Sequence, residues 1–340
     1  MRTITLGKTG ITIPQNAFGA LPIQRVSMEE AVKILRGAYD GGMQFFDTAR
    51  AYSDSEEKMG AAFDGMREKI YISSKTMAKT PEKFWEDLET SLEKLRTDYL
   101  DIYQFHCAKQ CYRPGDGTGM YEAMLEAKEQ GKIRHIGITA HLIGVAEEIV
   151  ASGLYETIQF PFSYLANERE IKLALNAAKA DMGFIAMKGL AGGLLTNAEA
   201  CMAFMSQYNV LPIWGIQREE ELKQWLEFFD KEAVMTPEIA EFIEKDCASL
   251  MGDFCRGCGY CLPCTVDIQI NNCARMSQMI RRSPSANFLG EEWQGLMGKI
   301  EDCVDCGLCK SRCPYGLDTP NLLRKNLADY KKILAGEVEI

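Results

Sequence analysis

The stretch Phe45-Phe46-Asp47-Thr48-Ala49-Arg50-Ala51-Tyr52 places a carboxylate at the end of a short apolar run and a phenol five positions later. Two further apolar runs end in the same way, because Lys75 follows residues 70–74 and His106 follows residues 100–105. In a parallel sheet or barrel the ends of the strands gather at one rim, where active sites form. The sequence therefore predicts one catalytic site that contains Asp47, Tyr52, Lys75 and His106.

The composition is that of a globular protein with room for one large domain and one small one. The chain has 340 residues, of which 46% are hydrophobic and 25% charged. A formal net charge of −10 argues against nucleic acid or an anionic membrane as the main partner. The first residues lack the apolar core of a signal peptide, and no run is long enough to span a bilayer. We therefore expect a cytoplasmic protein, and the sequence leaves its oligomeric state open.

Patterns of strand and helix alternate along the first two thirds of the chain. After a predicted hairpin over residues 4–13, the alternation yields about eight βα units in about 230 residues, the size of a TIM barrel. A doubly wound open sheet is the alternative, but no Gly-x-Gly-x-x-Gly stands between a strand and a helix. The alternation stops after Asp230. We predict a TIM (β/α)8 barrel over residues 1–235 and a small, mostly helical domain over residues 236–340.

The pattern Phe-Phe-Asp-Thr-Ala-x-x-Tyr, with a lysine and a histidine at the ends of the next two strands, resembles the aldo-keto reductase family. The resemblance covers about the first 230 residues and includes the opening hairpin and the stretch 186–193. It implies an NAD(P)-dependent oxidoreductase that acts on a carbonyl or alcohol. The family holds NADP(H) or NAD(H) across the carboxyl-terminal rim of the barrel, without a Rossmann domain.

The chemistry of the four predicted catalytic residues agrees with this resemblance. Hydride transfer to a carbonyl puts negative charge on its oxygen, which a nearby acid must neutralise. A free tyrosine has a pKa of about 10. The ammonium of Lys75 is expected to lower the pKa of Tyr52, while Asp47 holds the lysine and His106 orients the substrate oxygen. Singly, each of these residues is more often an ordinary packing or surface residue; together, at successive strand ends, they favour catalysis.

The resemblance also implies a set of cofactor-binding residues. Gln159 matches the glutamine that binds the nicotinamide amide, and Thr139 stands where the family usually has serine. Residues 211–218 match the phosphate-binding loop, with Trp214 in place of a usual proline, and an asparagine expected in the last helix is replaced near Trp225. Arg218 is either a partner for a 2′-phosphate or an exposed arginine at a helix start. The implied cofactor-binding residues are Thr139, Gln159, Lys188, Gly215, Gln217 and Arg218.

Eight of the 13 cysteines form two runs after residue 250. They read Cys255-x-x-Cys258-x-x-Cys261-x-x-Cys264 and Cys303-x-x-Cys306-x-x-Cys309-x-x-x-Cys313-Pro314. The second is the complete bacterial ferredoxin run, in which the fourth cysteine ligates the other cluster. We predict two [4Fe-4S] clusters, one held by Cys255, Cys258, Cys261 and Cys313 and the other by Cys264, Cys303, Cys306 and Cys309. Paired zinc sites are the alternative, but zinc has no use for a third cysteine at this spacing.

The two halves suggest three functions. The first is an aldo-keto reductase-type enzyme whose clusters fold the tail, tune its stability or sense oxygen. The second is an enzyme whose clusters exchange electrons with a substrate or with an external carrier such as a ferredoxin. The third is an iron–sulfur electron-transfer module on a barrel that has lost catalysis. The first is favoured because all four catalytic residue types are present.

Overall fold

The computed structural model describes residues 1–250, 254–282, 285–313 and 315–338. Contacts within the chain divide it into two compact units. The first unit comprises residues 1–189 and 198–236, and the second comprises residues 190–197 and 237–340. The segment 190–197 therefore groups with the cysteine-containing part of the chain, although the strands on either side of it in sequence belong to the first unit.

The first unit begins with an antiparallel hairpin of β1 (Thr3–Thr5) and β2 (Thr12–Pro14). Its side chains Ile4 and Ile13 share one apolar core with residues from several strands of the barrel. Gly7 has a φ of +49°, and a Cβ on it would stand 2.3 Å from the carbonyl oxygen of Asp181. Glycine at this position thus lets the hairpin lie against the chain that leads into a barrel strand, and the hairpin closes the amino-terminal end of the barrel.

The barrel itself consists of eight parallel strands in chain order, closed by pairing of the last strand with the first. All six residues of its fourth strand are buried, as expected for a parallel strand covered on both faces. The predicted TIM barrel is confirmed. Its strands are β3 (Ala17–Gly19), β4 (Phe45–Asp47), β5 (Tyr71–Thr76), β6 (Leu100–Phe105), β7 (Ile133–Thr139), β8 (Thr157–Pro161), β9 (Gly183–Met187) and β10 (Val210–Gly215).

Helices follow the strands, and several begin at caps that are readable in the sequence. Ser27 and Glu30 form a capping box, as do Asn167 and Glu170, and the Thr80 hydroxyl accepts a hydrogen bond from the backbone of Lys83. Such caps satisfy backbone N–H groups that the first helical turn leaves without partners. The helices are α1 (Met28–Asp40), α2 (Ser55–Ala62), α3 (Pro81–Leu95), α4 (Met120–Glu129), α5 (Ile143–Ser152), α6 (Glu168–Lys179), α7 (Ala198–Met205) and α8 (Glu219–Asp230).

The second unit is helical, and cysteines form part of its apolar core. Ile268, Leu323 and Tyr330 are buried together with the thiols of Cys255 and Cys261. Pro314, which completes the ferredoxin-type run, lies outside the described residues. Within the described residues no helix has the length and apolar character that crossing a membrane requires. The helices of this unit are α9 (Pro237–Ser249), α10 (Ile270–Cys273), α11 (Met276–Arg282), α12 (Glu291–Gly298), α13 (Leu308–Arg312) and α14 (Thr319–Leu334).

Candidate active site and cysteine cavities

The carboxyl ends of three consecutive strands bring the predicted catalytic residues to one rim of the barrel. Asp47 is the last residue of β4, Lys75 is the penultimate residue of β5, and His106 directly follows β6. The strands are neighbours in the barrel, with Asp47 in register with Ser73 on β5. The alternation of strand and helix therefore brings these side chains, which are far apart in sequence, to the same rim of the barrel.

Lys75 and Asp47 form a buried ion pair. The Lys75 ammonium lies 2.6 Å from a carboxylate oxygen of Asp47 and 2.6 Å from the carbonyl oxygen of Thr48, and both charged residues are 1–2% exposed. Burial lowers the pKa of Lys75 and raises the pKa of Asp47, while the attraction between the two charges opposes each shift. The ammonium is therefore held in one place by two oxygen acceptors.

Tyr52 lies beside this pair in the turn that follows β4. Its ring centroid is 5.3 Å from the Lys75 ammonium and 5.6 Å from the centroid of the His106 ring, which it meets edge-on at 80°. Burial raises the pKa of Tyr52, and the negative charge of Asp47 raises it further. This direction is opposite to the lowering that we expected from Lys75. The reason is that burial of the phenol has the largest influence on its pKa, and the Asp47 carboxylate, in direct contact with the ammonium, acts in the same direction.

His106 is held as a neutral imidazole. Burial lowers its pKa to about 3, and the positive charge of Lys75 lowers it further, as does the neighbouring His141. Its backbone N–H donates to the carbonyl of Thr76, which fixes the start of the loop. The Nδ1 atom is buried and has no hydrogen-bond partner among the described residues. A neutral ring retains one N–H, so His106 can donate a single hydrogen bond to a substrate oxygen.

Gln104 is a residue of this site that the sequence analysis missed. It is fully buried, and its Nε2 lies 2.8 Å from the Ser73 hydroxyl and 2.8 Å from Oε1 of Gln159. Nε2 of Gln159 in turn lies 3.4 Å from the Asp47 carboxylate. The predicted nicotinamide-binding glutamine is thereby connected to the predicted catalytic carboxylate. The alternation of side chains along a strand could have revealed it. Gln104 stands two positions before His106, and residues two apart share one face of a strand.

The remaining predicted cofactor-binding residues also lie at or just beyond the ends of strands. Thr139 ends β7, and its hydroxyl accepts a hydrogen bond of 2.7 Å from the backbone N–H of Cys107. Lys188 follows β9 with a φ of +58°, and Gly215 ends β10. Gln217 and Arg218 directly precede α8, where the exposed guanidinium of Arg218 pairs with Glu221 at 2.6 Å. Arg218 would have to share or leave this carboxylate in order to bind a phosphate.

Trp214, which departs from the family pattern, packs against Trp225. The rings of Trp214 and Trp225 stack with centroids 3.8 Å apart and an interplanar angle of 7°, and both side chains are buried. A Cβ on Gly189 would lie 2.5 Å from the Trp214 ring. Gly189 therefore leaves room for the indole of Trp214, which belongs to the predicted phosphate-binding loop.

Eight cysteines of the second unit line two cavities. The first is lined by Cys255, Cys258, Cys261 and Cys313, and the second by Cys264, Cys303, Cys306 and Cys309, with Cys261 touching both. These groups coincide with the two predicted ligand sets, in which each run lends its last cysteine to the other cluster. Four thiols around one cavity fit the donor set of a [4Fe-4S] cluster, and the ligand assignment itself stays a prediction.

Glycines shape the loops that carry these thiols. Gly257, Gly259 and Gly307 have φ values of +67°, +82° and +72°, a region that other residues rarely adopt. The bend at Gly257 also turns its backbone N–H toward the Cys255 sulfur, 3.3 Å away. The two-residue spacing between cysteines therefore becomes a tight loop whose thiols face one cavity.

Comparison with known families finds one match for each part of the chain. The sequence model described as "Aldo/keto reductase family" matches residues 4–209, and the model described as "4Fe-4S dicluster domain" matches residues 254–318. The first match covers more than half of the chain. The chain therefore belongs to the aldo/keto reductase family, and it carries a 4Fe-4S dicluster domain after the barrel.

Individual relatives match part of the chain. The protein is 32% identical over 181 residues to the aldo-keto reductase YhdN of Bacillus subtilis, covering 49% of this chain and 54% of that protein. It is 35% identical over 150 residues to the methylglyoxal reductase DkgB of Salmonella typhi, covering 42% and 53%. The chain thus spans about half the length of the curated relatives that it matches.

Solved structures share the barrel fold. The aldo-keto reductase AKR11C1 from Bacillus halodurans, in its holo form, superposes with a TM-score of 0.64 at 20% identity, covering 72% of this chain and 96% of that chain. An aldo-keto reductase from Klebsiella pneumoniae in complex with NADPH superposes with a TM-score of 0.61 at 21% identity, covering 72% and 95%. At this level of identity the likeness establishes the fold.

Proposed function

We propose that this protein is an aldo-keto reductase-type oxidoreductase that moves hydride between NAD(P)H and a carbonyl or alcohol substrate. The observation that carries the proposal is the arrangement of Tyr52 beside the Lys75–Asp47 ion pair and edge-on to His106. Isolated buried lysines are costly, so a buried lysine with a carboxylate partner and a neighbouring phenol at strand ends has the character of a catalytic site. We propose NADPH as the first cofactor to test, because the Klebsiella structure was solved with it.

The four residues divide the proton chemistry between them. NAD(P)H, when bound, supplies the hydride. Tyr52, whose pKa is raised, keeps its proton at neutral pH and delivers it to the oxygen on which charge develops. His106, neutral and with an N–H to donate, orients that oxygen. Lys75 places its positive charge near the phenolate that remains, and Asp47 keeps the ammonium in position.

Thr139, Gln159, Lys188, Gly215, Gln217 and Arg218 are proposed to bind the cofactor. Support comes from the network in which Gln104 orients the Gln159 amide. The predicted division into domains 1–235 and 236–340 also belongs to this proposal. In the second domain, the eight cysteines that line the cavities would hold two [4Fe-4S] clusters, which transfer one electron at a time.

The test of the catalytic proposal is Tyr52→Phe in anaerobically purified protein. NADPH oxidation is followed with small aldehydes, including methylglyoxal, because one relative is a methylglyoxal reductase. The variant should lose about 10²- to 10⁴-fold in kcat, the usual contribution of a general acid. NADPH affinity, measured by quenching of protein fluorescence, should stay the same. Tyr39→Phe, in helix α1, is the control. Equal turnover by Tyr52→Phe and the wild type would remove Tyr52 from catalysis.

A second candidate function is a cluster-linked reductase or electron-transfer protein that uses a ferredoxin or another external carrier. The observation that favours it is the surface of the second cavity, where Cys306 is exposed between Val304 and Leu308, which are 64% and 39% exposed. Bleaching of the cluster absorbance by NADPH would support electron exchange between cofactor and clusters. Tight NADPH binding with unchanged cluster spectra would favour the first function, while turnover with reduced viologen alone would favour the second.

A further inference from the structure

A half-buried arginine, Arg275, stands beside the loop that carries Cys255 and Cys258. The guanidinium of Arg275 donates from its two terminal nitrogens to the carbonyl oxygens of Ala191 and Gly192, each at 3.2 Å. Both acceptors lie in segment 190–197, which belongs to the same unit. The side chain is thus held by two backbone acceptors and does not move freely in solvent.

Two glycines leave room for this guanidinium. A Cβ on Gly257 would lie 2.9 Å from an Arg275 nitrogen, and one on Gly192 would lie 2.4 Å from it. Gly257 is in the loop between Cys255 and Cys258, and its N–H points at the Cys255 sulfur. Arg275 therefore packs directly against the backbone that carries the first two thiols of the first ligand set.

The charge of Arg275 lacks a carboxylate partner. Among the described residues no aspartate or glutamate pairs with it, and its buried Nε has no hydrogen-bond partner there. A half-buried guanidinium without a carboxylate partner is stabilised by a negative group placed beside it. A thiolate-ligated iron–sulfur cluster is such a group, and it gains one more negative charge when it is reduced.

We propose that Arg275 is the counter-cation of the cluster held by Cys255, Cys258, Cys261 and Cys313, and that it raises the reduction potential of that cluster. The proposal rests on the cluster content given under Proposed function. A fixed positive charge stabilises the reduced cluster more than the oxidised one, and net charge and hydrogen bonds near the sulfurs are known determinants of cluster potential. Arg275 acts on the cluster through its charge and does not ligate the iron.

The test is a redox titration of anaerobic protein monitored by electron paramagnetic resonance. Arg275→Gln should lower one of the two midpoint potentials by a tenfold change in the one-electron equilibrium constant, or about 59 mV. Arg275→Lys, which keeps the charge, should retain most of the wild-type potential. Arg281→Gln removes an exposed charge that pairs with Asp329 and should leave both potentials unchanged.

A substitution near the second cavity shows which midpoint potential belongs to which cluster. The Thr265 hydroxyl lies 3.7 Å from the Cys306 sulfur, so Thr265→Val should lower the potential of the second cluster alone. The proposal predicts that Arg275→Gln and Thr265→Val move different potentials and that the double variant moves both. It is overturned if Arg275→Gln with full iron and sulfide leaves both potentials unchanged, or if both variants move the same one. Wild-type protein without iron and sulfide would instead contradict the cluster content itself.

Discussion

The barrel site and the cysteine region reach their geometry in different ways. In the barrel, Asp47, Lys75 and Gln159 lie on hydrogen-bonded parallel strands, and each is held by further polar contacts. In the second unit the thiols lie on loops and short helices, and several of them are themselves part of the apolar core. Backbone hydrogen bonds hold the barrel strands, whereas a core whose thiols bind a metal would gain folding free energy from that metal.

This contrast predicts different responses to substitution. A change in the barrel site should alter chemistry or local stability while the strands remain paired. A change of one cysteine should remove a whole cluster, because four thiols act as a unit. The following experiments test this contrast, from the largest expected effect to the smallest.

Cys258→Ser should remove the first cluster and with it about half of the protein's iron, because the first cavity then has three thiols. Iron and acid-labile sulfide are counted in anaerobic protein, and NADPH binding is measured in parallel. Cys247→Ala, in helix α9 and outside both cavity linings, is the control and should keep its full iron content. A Cys258→Ser variant with unchanged iron would show that this cysteine is not a ligand.

Lys75→Met should destabilise the barrel by about 3–5 kcal/mol, because it leaves the buried Asp47 carboxylate without its cation. Adding Asp47→Asn should recover part of that loss, since the unpaired charge is then gone. Urea unfolding of the three variants measures the coupling. The exposed pair Lys94–Glu57 is the matched control, and Lys94→Met should cost less than about 1 kcal/mol. Strict additivity of the two barrel substitutions would mean that the ion pair contributes no coupling.

Gln104→Leu should weaken NADPH binding about tenfold, equivalent to about 1.4 kcal/mol, because the Gln159 amide loses the donor that orients it. Fluorescence titration measures the dissociation constant, and the iron content should stay the same. Gln130→Leu, an exposed residue that bonds to Glu126 on its own helix, serves as the control. An unchanged dissociation constant would restrict Gln104 to a packing role.

The stability of the barrel should fall as the pH is lowered from about 6.5 toward 3. His106 has a folded pKa of about 3, below the ordinary histidine value of 6.5, so the unfolded chain binds a proton that the native state does not. Stability therefore rises with pH across this window. His106→Gln should reduce the loss of stability between pH 7 and pH 4.5, as measured by urea midpoints. The rest of that loss should persist, because His141 also has a pKa of about 3. The same pH slope in variant and wild type would contradict a buried neutral His106.

Local signals allowed much of the fold to be predicted. The strand β6 (Leu100–Phe105) coincides with the apolar run read from the sequence, and the opening hairpin and the alternation of strand and helix are confirmed. Segment 190–197 could not be predicted to join the second unit, because its partners Arg275 and Arg282 are more than 80 residues away in sequence. Gln104 was missed for a similar reason, since its contacts cross to β5 and β8 and carry no short motif.

The sequence by itself determined the order of strands and helices, the four residue types at successive strand ends and the cysteine spacing, because these depend on neighbours along the chain. Only the tertiary structure decided which thiols share a cavity, that burial raises the pKa of Tyr52 although Lys75 is close, and that a half-buried arginine stands beside the loop of Cys255 and Cys258. Cavities, burial and charge compensation arise from residues that are distant in sequence and meet only when the chain is folded.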